Sequence, residues 1–360
     1  HVHALAPVAM NIAFLPVYPN PYQHLLAGAL ARREAMTVAM LPGLPSPAWL
    51  RAHRPAGGEP VDILHYHWLY GLYMANWRTP AQALAFLGRF RLARALGYGL
   101  VWTAHNVLPH RAAGLRPLHV AIRRLMMAAA DAVIVHCEAA RRELTERFSR
   151  TGPVAVIAHG NYAGVYPTPD RTTARQQLAL PPDSFVYLSL GNIAAYKGLQ
   201  GYIDIFRAAA GANDIAIIAG RNRDAAGVRR LERLAASEPR LRLSAGFVPD
   251  EQMGRYLGAA DVLVAPFERI LTSGSVITAL SAGLPVIAPT LGCLPELIGD
   301  AGIVYPAAQP GGLAAALAAI KTADRGHMRV RATAIAAGLG WDDIARQTAV
   351  VYRAVAARSL

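Results

Sequence analysis

Lys197 is one of only two lysines in the chain, and it stands in GNIAAYKG, where the apolar run FVYLSLGNI ends and the helical pattern GLQGYIDIFRAA begins. An ammonium beside a helix N-terminus is suited to an anion, because unpaired backbone N–H groups and the helix dipole point the same way. A pyrophosphate is expected there, with an ordinary surface lysine as the plain alternative; Asn192 lies in the same turn. The stretch ERILTSGSVITALSAG places Thr272, Ser273, Gly274 and Ser275 ahead of an apolar helix. Backbone N–H groups and hydroxyls at such a start also suit a phosphate, although Ser and Thr cap helices without any ligand. Read together with Lys197, the two segments form a diphosphate site. AGRNRD sets Arg221 and Arg223 after another strand, within reach of a base, a ribose or a phosphate, and CLPELIGDAG sets Glu296 before a short helix, where a carboxylate can accept a ribose hydroxyl or merely favour the helix start.

Histidines form a second set. His65 and His67 end a strand in ILHYHWLYG, and His105 ends one in VWTAHNVLPH. Imidazole is the side chain best suited to proton transfer near neutral pH, and three near strand ends argue that at least one touches a reacting group. The loop PVYPNPYQHLL brings Asn20, Tyr22 and His24 after the first strand. It has no G-x-G-x-x-G pattern, so this half is no dinucleotide site of the usual kind, and its Pro and Tyr content suits a rigid platform for a second substrate.

The elements that must position these residues alternate along the chain. MNIAFLPV, VDILHYH, YGLVWTAHN, DAVIVHCE and VAVIAHG read as one set of strands, with YQHLLAGALARR as the first helix. FVYLSLGNI, DIAIIAG, LRLSAGF, DVLVAPF and LPVIAPT read as a second set, separated by helical stretches such as AGVRRLERLAA. Strands spaced by helices of this length imply parallel sheets with right-handed crossovers. The expected fold is α/β with two Rossmann-like, doubly wound domains, over residues 1–165 and 166–340, and ligands at the strand C-termini. NYAGVYPTPDRTTARQQLALPPDS has no strand pattern and reads as a linker, and the amphipathic stretch 341–360 is placed to cross back to the first domain.

Composition bounds the rest. The chain has 360 residues, 54% hydrophobic and 16% charged, with a formal net charge of +13. Up to residue 165 there are 16 Arg, no Lys and 7 acids, a net +9; the remainder carries +4. Arg89, Arg91, Arg94, Arg123 and Arg124, mixed with apolar residues, suit an anionic membrane surface. A coding bias toward Arg over Lys would leave the same charge simply solvated. No helix-turn-helix, zinc or aromatic-interleaved pattern points to nucleic acid. Cys137 and Cys293 lie far apart without metal-ligand spacing, so a disulfide framework is not expected and a reducing compartment is. The opening HVHALAPVAM has no basic segment followed by an apolar one, and no apolar run reaches the roughly 18 residues of a membrane span.

GFVPDEQMGRYLGAADVLVAPF followed by SAGLPVIAPTLGCLPELIGDAGIVYP resembles the C-terminal domain of the GT-B glycosyltransferase superfamily over roughly residues 180–310. Retaining members usually carry two glutamates eight positions apart in this loop; here Ile270 and Thr278 stand there, with Glu268 out of register, and Asn192 replaces the usual Arg before the Lys. ILHYHW, TAHNVLPH, IAHGNY, the YKG turn and the TSGS loop together are similar to bacterial exopolysaccharide β-mannosyltransferases of the xanthan-assembly type. That resemblance implies two domains facing a cleft and an inverting transfer from GDP-mannose to a polyprenyl-diphosphate-linked saccharide on the cytoplasmic membrane face. It carries over His67, His105, Lys197, Ser273 and Gly274.

The expected mechanism is one in-line displacement, with Lys197 and Ser273–Ser275 stabilising the departing nucleotide diphosphate. His105 is the first choice of base, His67 the second, and Glu268 remains a candidate. Without an Asp-x-Asp pair, no metal and no cofactor beyond the nucleotide sugar are expected. The alternatives are a retaining GT-B transferase, a catalytically silent sugar-nucleotide-binding or polyisoprenoid-binding subunit, and an epimerase of the same architecture.

Overall fold

The computed structural model describes residues 10–74, 80–109, 115–150 and 152–359. The chain divides into two units, His1–Gly160 with Leu339–Leu360, and Asn161–Gly338. In the first, β1 (Met10–Leu15), α1 (Pro21–Glu34), β2 (Met36–Met40), α2 (Pro47–Ala52), β3 (Ile63–Tyr66), α3 (Tyr70–Tyr73), α4 (Pro80–Ala95), β4 (Gly99–Thr103), α5 (Arg116–Ala129), β5 (Ala132–Val135), α6 (Glu138–Phe148) and β6 (Val154–Val156) follow in order. Their strands form a parallel sheet ordered β2-β1-β3-β4-β5-β6.

The second unit contains α7 (Arg171–Gln177), β7 (Phe185–Leu190), a 3-10 turn (Ala195–Lys197), α8 (Leu199–Ala209), β8 (Asp214–Ala219), α9 (Ala225–Ser237), β9 (Leu241–Ser244), α10 (Asp250–Ala259), β10 (Val262–Val264), α11 (Gly274–Ser281), β11 (Val286–Pro289), α12 (Leu294–Ile298), β12 (Gly302–Tyr305), α13 (Gly312–Thr322) and α14 (Arg325–Gly338). Its strands are parallel in the order β12-β11-β10-β7-β8-β9. The last helix, α15 (Trp341–Ser359), packs along α1 in the first unit and is fixed there by Arg353 to Glu34 at 2.7 Å and Arg33 to Asp342 at 2.7 Å.

The central strands β4 and β8 are buried along their whole length, which explains their unbroken apolar sequences, since a parallel sheet is covered on both faces. β2 and β12 are edge strands with short runs. MTVAM mixes buried and exposed positions and GIVY is half-buried throughout, so neither stood out in the sequence reading.

Two expectations are corrected. The proposed linker is folded into the second unit: Asp170 caps α7 by accepting from the Thr172 and Thr173 N–H groups, and buried Arg175 pairs with Asp261 at 2.8 Å. The ion pair is invisible in a local window because its partners are 86 residues apart. Neither cysteine is a free thiol, so the expected reduced pair does not hold.

Candidate functional site

Each unit carries a distinct cluster at its strand ends. In the second, Gly198 follows the 3-10 turn with φ 65°, and a Cβ there would lie 2.0 Å from the Pro266 carbonyl oxygen. Only glycine allows both the left-handed backbone and this close approach, so Gly198 lets the turn and the 266–268 loop clasp, joined by Glu268 N–H donating to the Tyr196 carbonyl at 2.9 Å. The clasp sets Lys197 inward: it is 8% exposed, its Nζ lies 3.2 Å from Ser275 Oγ and 3.4 Å from the Leu190 carbonyl, and it sits 4.6 Å from the centre of the Phe267 ring. Burial lowers its pKa to about 8. Among the described residues no carboxylate forms an ion pair with it.

The start of α11 meets Lys197. Ser273 Oγ caps the helix by accepting from the Val276 N–H at 3.3 Å and lies 3.1 Å from Ser275 Oγ. Thr272, Gly274 and Ser275 are half-buried beside it. A small concavity is lined by Gly191, Asn192, Lys197, Pro266 and Ser275. Asn192 is exposed and hydrogen-bonds the Tyr196 side chain. The loop after β8 is tied to the loop after β7 by Ile193 N–H to the Arg221 carbonyl and Arg223 N–H to the Ile193 carbonyl, both 2.9 Å. Arg221 then lies 4.7 Å over the ring of Phe247, which is 65% exposed. Phe247 was missed in the sequence reading; a lone exposed aromatic after a strand was its only signal. Glu268 and Glu296 are exposed.

Five buried histidines of the first unit, His65, His67, His105, His136 and His159, lie at or just after its strand ends, where the sequence reading singled out three. His136 and His159, after β5 and β6, carried the same strand-end signal as the others. Hydrogen bonds join three of them in a row. His136 Nδ1 donates to the Ile157 carbonyl at 3.0 Å, and a carbonyl can only accept. A neutral His136 therefore accepts at Nε2 from His105 Nδ1, 3.2 Å away, and His105 Nε2 accepts from His67 Nδ1, also 3.2 Å away. The row ends at His67 Nε2, a lone pair that is buried and unpartnered. His65 is held apart by Tyr352 at 2.6 Å and Thr103 at 2.7 Å. Burial depresses all five pKa values, with His136 lowered to about 4 and His159 to about 3.

The loop residues take other positions. Asn20 Oδ1 caps α1 by accepting from the Tyr22 N–H at 2.8 Å. Tyr22 is a core ring, 5.0 Å from the His105 ring and 4.7 Å from that of His159. His24 is exposed. Arg91, Arg94 and Arg124 are exposed, whereas Arg123 is buried, which corrects its place in the surface set: one step along a helix turns a side chain by about 100°. No described helix is long and apolar enough to cross a membrane.

Residues 184–322 match the family Glycosyl transferases group 1. The chain is 27% identical over 241 residues to GDP-mannose:glycolipid 4-beta-D-mannosyltransferase of Xanthomonas campestris pv. campestris, covering 63% of this chain and 61% of that protein, less than two thirds of its length. It is 28% identical over 333 residues to a D-inositol 3-phosphate glycosyltransferase of Streptomyces bingchenggensis, covering 85% of this chain and 68% of that one. The crystal structure of Anabaena Alr3699/HepE in complex with UDP and glucose superposes with a TM-score of 0.71 at 20% identity, over 96% of this chain and all of that one.

Proposed function

We propose that this chain, similar in part to Glycosyl transferases group 1 and in fold to GT-B glycosyltransferases, makes an inverting transfer of mannose from GDP-mannose to a lipid-linked saccharide in polysaccharide assembly. The observation that carries the donor half is the buried ammonium of Lys197, uncompensated by any described carboxylate and set against Ser275 at the start of α11. A buried charge of this kind is costly unless something pairs with it, and a diphosphate supplies that partner. As the bond from the anomeric carbon to the diphosphate oxygen breaks, the electron pair leaves with GDP. Lys197, Ser273 and Ser275 meet the growing charge with fixed donors. The exposed ledge of Phe247 and Arg221 supports a stacked base, and Glu296 is the candidate for a ribose hydroxyl.

The acceptor half belongs to the first unit. The acceptor oxygen attacks the anomeric carbon while its proton passes to a base. Both His105 ring nitrogens are engaged within the histidine row, and His67 Nε2 carries the remaining lone pair. This favours His67 as the base, with His105 and His136 fixing its tautomer. His24 is the candidate acceptor contact from the first loop. The reaction uses no metal, and the exposed arginines of α4 and α5 hold the protein to the anionic inner face of the membrane.

The test is a panel of nucleotides scored by thermal shift, since a ligand that binds only the folded state raises its apparent stability. GDP is expected to raise the melting temperature more than UDP. An equal or reversed order would remove the GDP-mannose assignment.

A further inference from the structure

A second buried cation without a carboxylate lies in the first unit. Arg123, on α5, is 3% exposed, and burial is the main influence on its pKa, which it lowers. Its guanidinium lies 5.6 Å from the centre of the Trp102 ring, and one terminal nitrogen donates to Tyr73 Oη at 3.3 Å. Among the described residues no carboxylate pairs with it. Its Nε–H is buried and has no partner.

One turn earlier on the same face of α5 stands His119, 1% exposed. Its Nδ1 lies 2.9 Å from Tyr73 Oη. The directions of these bonds follow from what each group can do. A guanidinium only donates, so Tyr73 Oη accepts from Arg123 and spends its own proton on His119 Nδ1. Burial and the Arg123 charge both lower the His119 pKa, which keeps the ring neutral. The proton of that neutral ring is therefore on Nε2, and this N–H too is buried without a partner. Two orphaned donors and one full positive charge thus come together on one face of α5. His119 also falls within its first turns, where the helix dipole favours negative charge.

Two unmade hydrogen bonds and an unpaired buried charge are each destabilising, and one ligand relieves all three. We propose that Arg123, His119 and Tyr73 form a binding site for a phosphate-type oxyanion, separate from the Lys197 site. The Arg123 Nε–H and the His119 Nε2–H each donate to a phosphate oxygen, and Tyr73 holds both side chains in position. Local opening admits the anion, since both donor atoms are shielded from solvent. The phosphate can belong to a lipid-carried acceptor or arrive free. The inference adds to the proposed transfer, and its test needs no turnover, so either can fail alone.

The experiment is calorimetric titration of inorganic pyrophosphate into the full chain carrying Lys197→Ala, which removes the buried ammonium and weakens the site in the other unit. One pyrophosphate is expected to bind, and adding Arg123→Met is expected to weaken it by about 10- to 100-fold, the scale of a lost hydrogen bond to a charged group. No binding to the Lys197→Ala protein, or equal affinity with and without Arg123, would overturn the site. Should Arg123→Met fail to fold, nitrogen-correlated NMR of the histidine rings in the Lys197→Ala protein decides. Pyrophosphate must shift the His119 Nε2–H resonance, and an unmoved resonance overturns the proposal. A parallel titration with geranyl diphosphate separates the sources: affinity ten-fold above pyrophosphate supports a lipid-carried phosphate at this site, and equal affinity supports a free one.

Discussion

Mild acid should unfold the first unit at a pH where carboxylates are still fully ionised. His65, His67, His105, His136 and His159 are all buried, and all five have depressed pKa values. In the unfolded chain each returns to about 6.5. Between 6.5 and the lower folded values, the unfolded state binds protons that the folded state refuses, so stability falls as pH falls. The full stability is present above about pH 6.5. At pH 5.5, His136 and His159, lowered to about 4 and about 3, each favour unfolding by about 1.4 kcal/mol, roughly 3 kcal/mol together, and the other three act in the same direction. A domain has only about 5–15 kcal/mol to lose. Urea unfolding of the ligand-free protein, followed by tryptophan fluorescence from pH 7.5 to 5, should show the midpoint collapsing between pH 6 and 5.5. His136→Asn, which removes one titrating ring, should shift that collapse to lower pH. A midpoint that stays level down to pH 5 would refute the reasoning and mean that the cluster protonates without unfolding.

Lys197→Ala should weaken GDP binding and lower turnover by about 10²- to 10³-fold, the scale of deleting one electrostatic stabiliser; unchanged initial rates would remove Lys197 from leaving-group stabilisation. Transfer activity should survive EDTA if the Lys197 ammonium is what stabilises the departing diphosphate; loss with EDTA and recovery with Mg²⁺ would show otherwise. Cosedimentation with anionic liposomes should exceed that with neutral ones and weaken with salt, given that Arg91, Arg94 and Arg124 are exposed and Leu84, also on α4, is 67% exposed; indifference to lipid charge would leave those arginines merely solvated.

The sequence was most legible where one local rule sufficed. The strand-turn-helix transition at Lys197 is written in consecutive residues, and so is the cap at Ser273. The pairing of Lys197 with Ser275 was legible only as an inference from two such turns, since 78 residues separate them. The histidines show where local reading ends. Each sits after an apolar run, but nothing local says that His136 reaches His105 across neighbouring strands, or that Ile157 supplies the carbonyl that orders the row. Tyr22 stands both in the loop PVYPNPYQHLL and at the head of the helical pattern YQHLLAGALARR; it is the second residue of α1, and nothing local says that its ring enters the core rather than facing a substrate. Arg123 and Arg124 look alike in sequence and differ entirely in burial, because α5 turns one to the Trp102 ring and the other to water.

On the proposed reading, the burial expected to make the first unit acid-labile also keeps His67 usable as the proton acceptor. A histidine of ordinary pKa is partly protonated at pH 6.5 and loses part of its capacity as a base. His67 is held neutral there by desolvation and by the charges its neighbours would carry, so its lone pair stays free throughout the range in which the unit is folded. The acid limit of the proposed transfer is then expected to be set by unfolding and not by titration of the base. At the alkaline end Lys197 has the opposite role. It is charged below about 8 and loses its proton above that value, so the ligand-free site is attractive to a diphosphate only on the acid side. A bound diphosphate favours the charged form and moves the boundary upward. Two burial effects of opposite consequence, one on imidazole and one on ammonium, would thereby bracket the pH range in which the proposed donor site and base are both ready.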